Sequence, residues 1–316
     1  ATYYEKVIRP LQRQKLEGVD VERYLIDRSF PVLLQTSLII SLPTVNLKTP
    51  FKGTWCHDID RTLFNEVSLF SGDTLVQKFT PETARLMERL FPANFKYSWR
   101  SGNTLVLTFP WFFSEDASKA LPLVYAGEGS EFYHTITSPK EIDVKSLFHV
   151  EDADSSAIES IEGEIKFEFE AVYAKLTDME IAVKKAITNH TLDSAIILQP
   201  CISTIIDGIP TDLPEGHYSH LFWWASGEGE IKEAELWGDK YEPRHSVTNG
   251  PFAFLRGGSE FLHYWGCRTQ GDPLYPSPSR MFQYGSIKIH GTGRLYLVGM
   301  KASILRITPS NVRITS

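Results

Sequence analysis

His57, Asp58 and Asp60 in the run CHDIDR bring an imidazole and two carboxylates close together in the chain, the donor types that a divalent cation accepts. Adjacent residues alone supply too few convergent ligands, so the plainer reading is a polar loop. His217 and His220 in HYSH have a spacing that would share a metal on a helical turn. Tyr218, Leu221, Phe222 and Trp223 around them favour a strand, on which residues three apart face opposite sides. His263, Trp265 and Cys267 do share a strand face by alternation, and a half-buried aromatic face accounts for them. Glu164, Glu168 and Glu170 offer the acid pair of a glycosidase, but they share a wet strand face with Lys166, where solvated charge is the default. There is no G-x-S-x-G elbow, no H-E-x-x-H and no catalytic-cysteine signature. Gly127-Glu128-Gly129, Gly227-Glu228-Gly229 and Gly291-Thr292-Gly293 lack the third glycine and following helix of a phosphate cradle, so they read as turns. No catalytic residue, cofactor site or metal site is therefore assigned.

The strongest electrostatic feature lies at the C-terminal end. From Pro273 to Ser316 there is no Asp or Glu, and Arg280, Lys288, Arg294, Lys301, Arg306 and Arg313 are the only charges. The chain as a whole stands at -7, so its acidic excess lies upstream. Much of that excess falls in 141–170, where only Lys145 and Lys166 offset the carboxylates. Phosphate is the commonest polyanion to complement a basic segment. The six cations are spaced rather than clustered, however, and Lys288 and Arg306 sit between apolar neighbours as wet-face strand residues do. They are candidate contacts to a nucleic acid or to the acidic surface of a neighbouring copy.

The elements that must position these residues are mostly strands. Residues 1–30 mix charges with few apolar anchors and read as an extended N-terminal arm that orders against a partner surface. From Pro31 the pattern changes: VLLQTSLIISLP is a buried-strand run ended by Pro43. Thr80-Pro81-Glu82 predicts a short helix ending before Pro92, with Thr as N-cap and Pro in the first position. NFKYSWRSGNTLVLTF predicts two strands folded over Ser101-Gly102-Asn103. In GEIKFEFEAVYAKL, Ile165, Phe167, Phe169 and Ala171 point one way and the charged residues the other. A second short helix is expected at about 178–188, and short strands with Gly/Pro turns follow. Many strands, two short helices and no repeat predict an all-β sandwich or barrel, with one domain from 31 to 316.

Composition limits the function classes. Hydrophobic residues at 42% and charged residues at 22% are those of a soluble globular protein, and 316 residues suffice for one large β domain or two ordinary ones. No run nears the roughly 18 apolar residues that cross a bilayer, and the N-terminal stretch has no apolar signal-peptide centre. Cys56, Cys201 and Cys267 are odd in number and far apart, which favours reduced thiols and a cytosolic setting.

Several stretches together resemble the capsid proteins of picorna-like positive-strand RNA viruses, particularly the insect-infecting type. They are the arm, PVLLQTSLIISLP, the helix TPETARLMERLFP, NFKYSWRSGNTLVLTF, the turn PWFFS and GPFAFLRGGSEFLHYWG; Ala1 without Met suits polyprotein cleavage. The resemblance implies a jelly-roll subunit of an icosahedral virion, assembled in the host cytoplasm from homo- and hetero-oligomeric contacts around genomic RNA, with no membrane partner. It departs from the family in the acidic 141–170 segment and in the late position of the Arg-Gly element. A carbohydrate- or ligand-binding β-sandwich is the alternative, with Trp223 or Trp224 as an exposed stacking platform.

Overall fold

A computed structural model describes residues 4–15, 17–18, 21–90, 96–114, 120–123, 130–176, 192–237, 243–248, 253–257, 260–266, 282–283, 286–308 and 311–315. It divides into two compact units, residues 1–191 with 308–312 and residues 192–307 with 313–316. The sequence suggested one domain from 31 onward. The difference has a simple origin: alternating strands of one half look like those of the other, and nothing in a short strand's pattern says which sheet it joins.

The first unit begins with β1 (Tyr4–Pro10), β2 (Gln12–Lys15), β3 (Glu22–Leu25), β4 (Val32–Ser41), β5 (Thr44–Leu47) and β6 (Gly53–Trp55). Helix α1 (Asp60–Leu63) leads to β7 (Glu66–Ser71) and β8 (Thr74–Phe79), then to α2 (Pro81–Leu90). β9 (Lys96–Ser101), β10 (Thr104–Thr108), β11 (Leu121–Pro122) and β12 (Phe132–Thr137) follow. β13 (Phe148–Val150), β14 (Ile158–Glu162) and β15 (Lys166–Leu176) complete it. One sheet runs β1-β15-β4-β10-β9, with β11 also on β4, and the other runs β2-β3-β12-β7-β8. The pairs are antiparallel, as a jelly-roll sandwich requires.

β1, β2 and β3 are therefore paired strands and not an arm awaiting a partner. β1 pairs with β15 from Tyr4↔Leu176 to Pro10↔Glu170, and β3 pairs with both β2 and β12. Main-chain hydrogen bonds to a sheet edge hold these strands, and polar side chains on them conceal that from a hydropathy reading. The expected hairpin does form, with β10 against β9 over the Ser101–Asn103 turn. Helix α2 begins where Thr80 predicts: Thr83 N–H donates to Thr80 Oγ1 (3.1 Å) and Thr80 N–H to Thr83 Oγ1 (2.9 Å). Its Ala84 and Leu86 are buried. The second helix expected at 178–188 lies outside the described residues.

In β15, Phe169, Ala171 and Tyr173 are buried while Glu168 is exposed, so the alternation works as expected. The acidic segment forms small satellites, β13 on β6 and β14 on β5, over a separate cluster of Val150, Ala157 and Ile158. Between the main sheets an aromatic column runs from Phe79 to Trp111 (5.1 Å), from Trp111 to His134 (4.9 Å) and from His134 to Phe169 (4.9 Å). His134 is fully buried, yet both ring nitrogens have partners: Nδ1 lies 3.2 Å from Ser68 O, and Nε2 lies 2.8 Å from Thr36 Oγ1. A carbonyl only accepts, so Nδ1 carries the proton and Nε2 accepts from the threonine. The imidazole is thus held neutral, bridging β7 in one sheet and β4 in the other.

The second unit begins with β16 (Leu192–Ile205), β17 (Thr211–Asp212), β18 (His217–Ala225), β19 (Ile231–Trp237) and β20 (Pro243–Thr248). β21 (Ala253–Gly257), β22 (Glu260–Gly266), β23 (Phe282–Gln283), β24 (Ser286–Gly291), β25 (Leu295–Thr308) and β26 (Asn311–Thr315) follow. The larger sheet runs β16-β25-β18-β22-β21, with β23 on β18 and β26 on β25; the smaller runs β17-β24-β19-β20. Tyr218, Leu221, Trp223, Leu295 and Leu297 from the larger sheet pack with Ile231, Ala234, Ile287 and Ile289 from the smaller. Gly299 allows a close approach: a β-carbon there would lie 2.8 Å from Leu213 and 2.9 Å from Tyr218.

Burial lowers the His134 pKa to about 4, against a weaker raising effect of the Ser68 carbonyl. The unfolded chain therefore takes up the proton first as pH falls, and the stability this residue contributes is lost between about pH 6.5 and 4. The loss amounts to about 3 kcal/mol at full protonation. Denaturant titrations of the parent and His134→Gln, run from pH 7 to pH 4, should show the parent's advantage shrinking by that order; a constant gap would contradict the buried neutral imidazole.

Candidate functional site

The CHDIDR segment leads into α1, and α2 brings Arg85 against it. Asp60 is buried, and Arg85 grips it with two bonds, Nε to Oδ2 at 3.2 Å and Nη2 to Oδ1 at 2.9 Å. The same Nη2 lies 2.9 Å from Asp58 Oδ1. Asp58 has a φ of 59°, a left-handed conformation that aspartate tolerates better than most residues. The Arg85 guanidinium also lies 4.4 Å from the centre of the Tyr97 ring. Burial, and then the Asp60 charge, push the Tyr97 hydroxyl up to about 12. His57 stands at the rim, its Nε2 3.5 Å from Asp58 Oδ1. The two carboxylates that a cation would need are thus held by a guanidinium, and the cluster serves to fasten α1 to α2.

The other chemical candidates are likewise dispersed or neutralised. His217 is exposed at the start of β18 and His220 is buried beyond a register shift, so the pair offers no shared ligand position. His263 and Trp265 lie on β22, opposite Trp223 and Leu221 in backbone register, and Cys267 lies outside the described residues. Glu164 and Glu168 are exposed, whereas Glu170 receives both terminal nitrogens of Arg100, at 3.1 and 3.3 Å. That bidentate pair removes one carboxylate from any acid-base role. Trp223 and Trp224 are buried, and Trp224 stacks on Tyr296 at 5.4 Å, so neither forms the exposed platform of a sugar-binding module.

The basic residues do not form one patch. Arg280 lies outside the described residues. Lys288 is half-buried on β24, directly opposite Glu235. Arg294 is exposed in the turn between β24 and β25. Lys301 and Arg306 are five residues apart on β25, so alternation turns them to opposite faces. Arg313 is exposed on β26.

Sequence reading missed an apolar feature. Ile202 on β16 is 57% exposed, and Ile206 and Ile209 just beyond the strand are 64% and 52% exposed. Ile205 between them is buried. The run CISTIIDGIP thus puts part of its isoleucine content into the core and part into solvent. Several large exposed β-branched residues so close together mark an interaction surface more readily than a single one would.

No protein-family model matches the chain, and no curated protein is similar to it in sequence. Solved structures are similar in fold. PBCV-1 VP54, in a crystal structure fitted into a reconstruction of the virophage Sputnik, matches with a TM-score of 0.69 at 11% identity, over 100% of this chain and 97% of that one. The Faustovirus major capsid protein matches with a TM-score of 0.63 at 6% identity, over 98% and 91%. The STIV major capsid protein matches with a TM-score of 0.57 at 10% identity, over 94% and 96%. At these identities the likeness is one of jelly-roll architecture.

Replacing Arg85 with Met leaves Asp60 as an uncompensated buried charge. The expected cost is about 3–5 kcal/mol, seen as a lower denaturation midpoint. Arg100→Met, which frees only the more exposed Glu170, should cost less than about 1 kcal/mol in the same measurement.

Proposed function

We propose that this chain is a structural subunit of an icosahedral viral capsid, acting through repeated contacts with other subunits and carrying no catalytic site. The observation that carries the reading is the end-to-end correspondence with capsid proteins: all of this chain, both units included, matches PBCV-1 VP54 over 97% of that chain. Two features of this chain support it. Its obvious polar clusters are closed ion pairs that build the fold, and its exposed isoleucines need a covering partner.

The test is assembly. Purified chain, alone or with its natural companion subunits, should form large particles by sizing and electron microscopy. Ile202→Asp, Ile206→Asp and Ile209→Asp combined should lower the assembled fraction strongly. The melting temperature of the unassembled protein should change little, because surface substitutions are usually within about 0.5 kcal/mol each. A monomer at all concentrations, with or without companions, would sink the proposal.

The finer reading is a capsid of the picorna-like type around an RNA genome, assembled in the host cytoplasm into virions. It rests on the resemblance in sequence and on the acid-free basic segment. Arg294, Arg306 and Arg313 are its best contacts, since all three are exposed. Should they meet RNA phosphates, replacing all three with Gln lowers the salt slope of single-strand binding by about 2, at roughly 0.7 per contact. An unchanged slope assigns these cations to neighbouring subunits instead.

A further inference from the structure

We propose that the second unit carries a divalent-metal site on the outer face of its four-stranded sheet, formed by Glu233, Glu235 and His290, and that it takes a zinc-class ion. The proposal stands independently of the capsid reading. β19 and β24 are the two central strands of that sheet. Ala234, Ile287 and Ile289 are fully buried on its inner side, so alternation turns Glu233, Glu235, Lys288 and His290 to the other face. Register sets Glu233 opposite His290 and Glu235 opposite Lys288. One ligand atom from each of Glu233, Glu235 and His290 lies within 4.8 Å of the others. Donors bound to zinc at about 2.0–2.2 Å sit roughly 3–3.5 Å apart, so rotamer adjustments on fixed strands close the set.

A second observation points the same way. Asp207 Oδ1 lies 3.9 Å from His290 Nδ1, which leaves Nε2 as the nitrogen to ligate a metal. Asp207 is itself anchored, because its Oδ1 accepts from Gly291 N–H at 3.0 Å, while the next residue, Gly208, donates N–H to Ile289 O at 2.9 Å. At 3.9 Å the contact between Asp207 and His290 is at an ion-pair distance rather than a hydrogen bond. A small ring rotation would let the carboxylate accept from Nδ1–H, the contact that orients a ligating histidine. One imidazole with two carboxylates suits zinc better than calcium or magnesium, which prefer oxygen ligands alone. Three protein ligands leave a position for water. Lys288, opposite Glu235 in backbone register, is a cation that a metal would have to compete with for that carboxylate.

Titrating zinc chloride calorimetrically into the purified full-length chain tests the proposal. The expected result is one saturable site per chain that millimolar calcium does not displace, with a rise in melting temperature on zinc addition. Affinity should fall roughly tenfold or more in both His290→Ala and Glu235→Gln. Glu235→Gln is nearly isosteric and carries the test alone if His290→Ala fails to fold. Either no saturable zinc site in the parent, or a site of undiminished affinity in the folded variants, overturns the assignment.

Discussion

A neutral histidine joins the two sheets of the first unit. His134 accepts from Thr36 on one sheet and donates to Ser68 on the other, while Trp111 and Phe169 cover its two faces. A buried polar group is tolerable only when every donor and acceptor is matched, and here all ring positions are used. The requirement fixes the register of β4, β7 and β12 relative to each other, since a slip by one residue would turn the imidazole out of the column. The second unit has an apolar version of the same constraint. Gly299 lets Tyr218 and Leu213 lie against β25, and the Tyr218 hydroxyl reaches Pro214 O at 2.5 Å.

The ion pairs of the first unit follow from that closure. Once the sheets are packed, Asp60 has no route to water, and only a guanidinium delivered by α2 compensates it. Residues that look like chemistry in the sequence, two aspartates beside a histidine, are in the fold the bolt between two short helices. The same holds for Glu170 and Arg100. Polar groups that are already satisfied are poor catalysts and good structural parts.

Much of the strand content was legible because β4 and β15 carry long period-2 or fully apolar patterns, and because Thr80 and Pro81 announce α2 by a local mechanism. What was illegible depends on distant pairing. β1 to β3 read as an arm because their side chains are polar and their stabilisation is in main-chain hydrogen bonds. The division into two units was hidden because a short strand's pattern does not say which sheet it joins. Glu233 and His290 are far apart in the chain and meet only through the β19–β24 register. A stacking platform, the alternative reading, would need Trp223 or Trp224 exposed. Both are buried here.

Strand β16 offers apolar surface without inviting indiscriminate strand addition. Among the described residues it pairs only with β25, which leaves a long edge. An open edge with exposed Ile202 would ordinarily template another chain's strand. Pro200 lies within this strand, opposite Met300, and has no N–H to offer an incoming neighbour. The edge is therefore interrupted beside the isoleucines. A partner that covers Ile202, Ile206 and Ile209 must then do so by side-chain packing, which is selective for shape, rather than by main-chain pairing, which accepts almost any strand. On the capsid reading that distinction matters, because a subunit present in many copies must associate in one geometry and refuse the others.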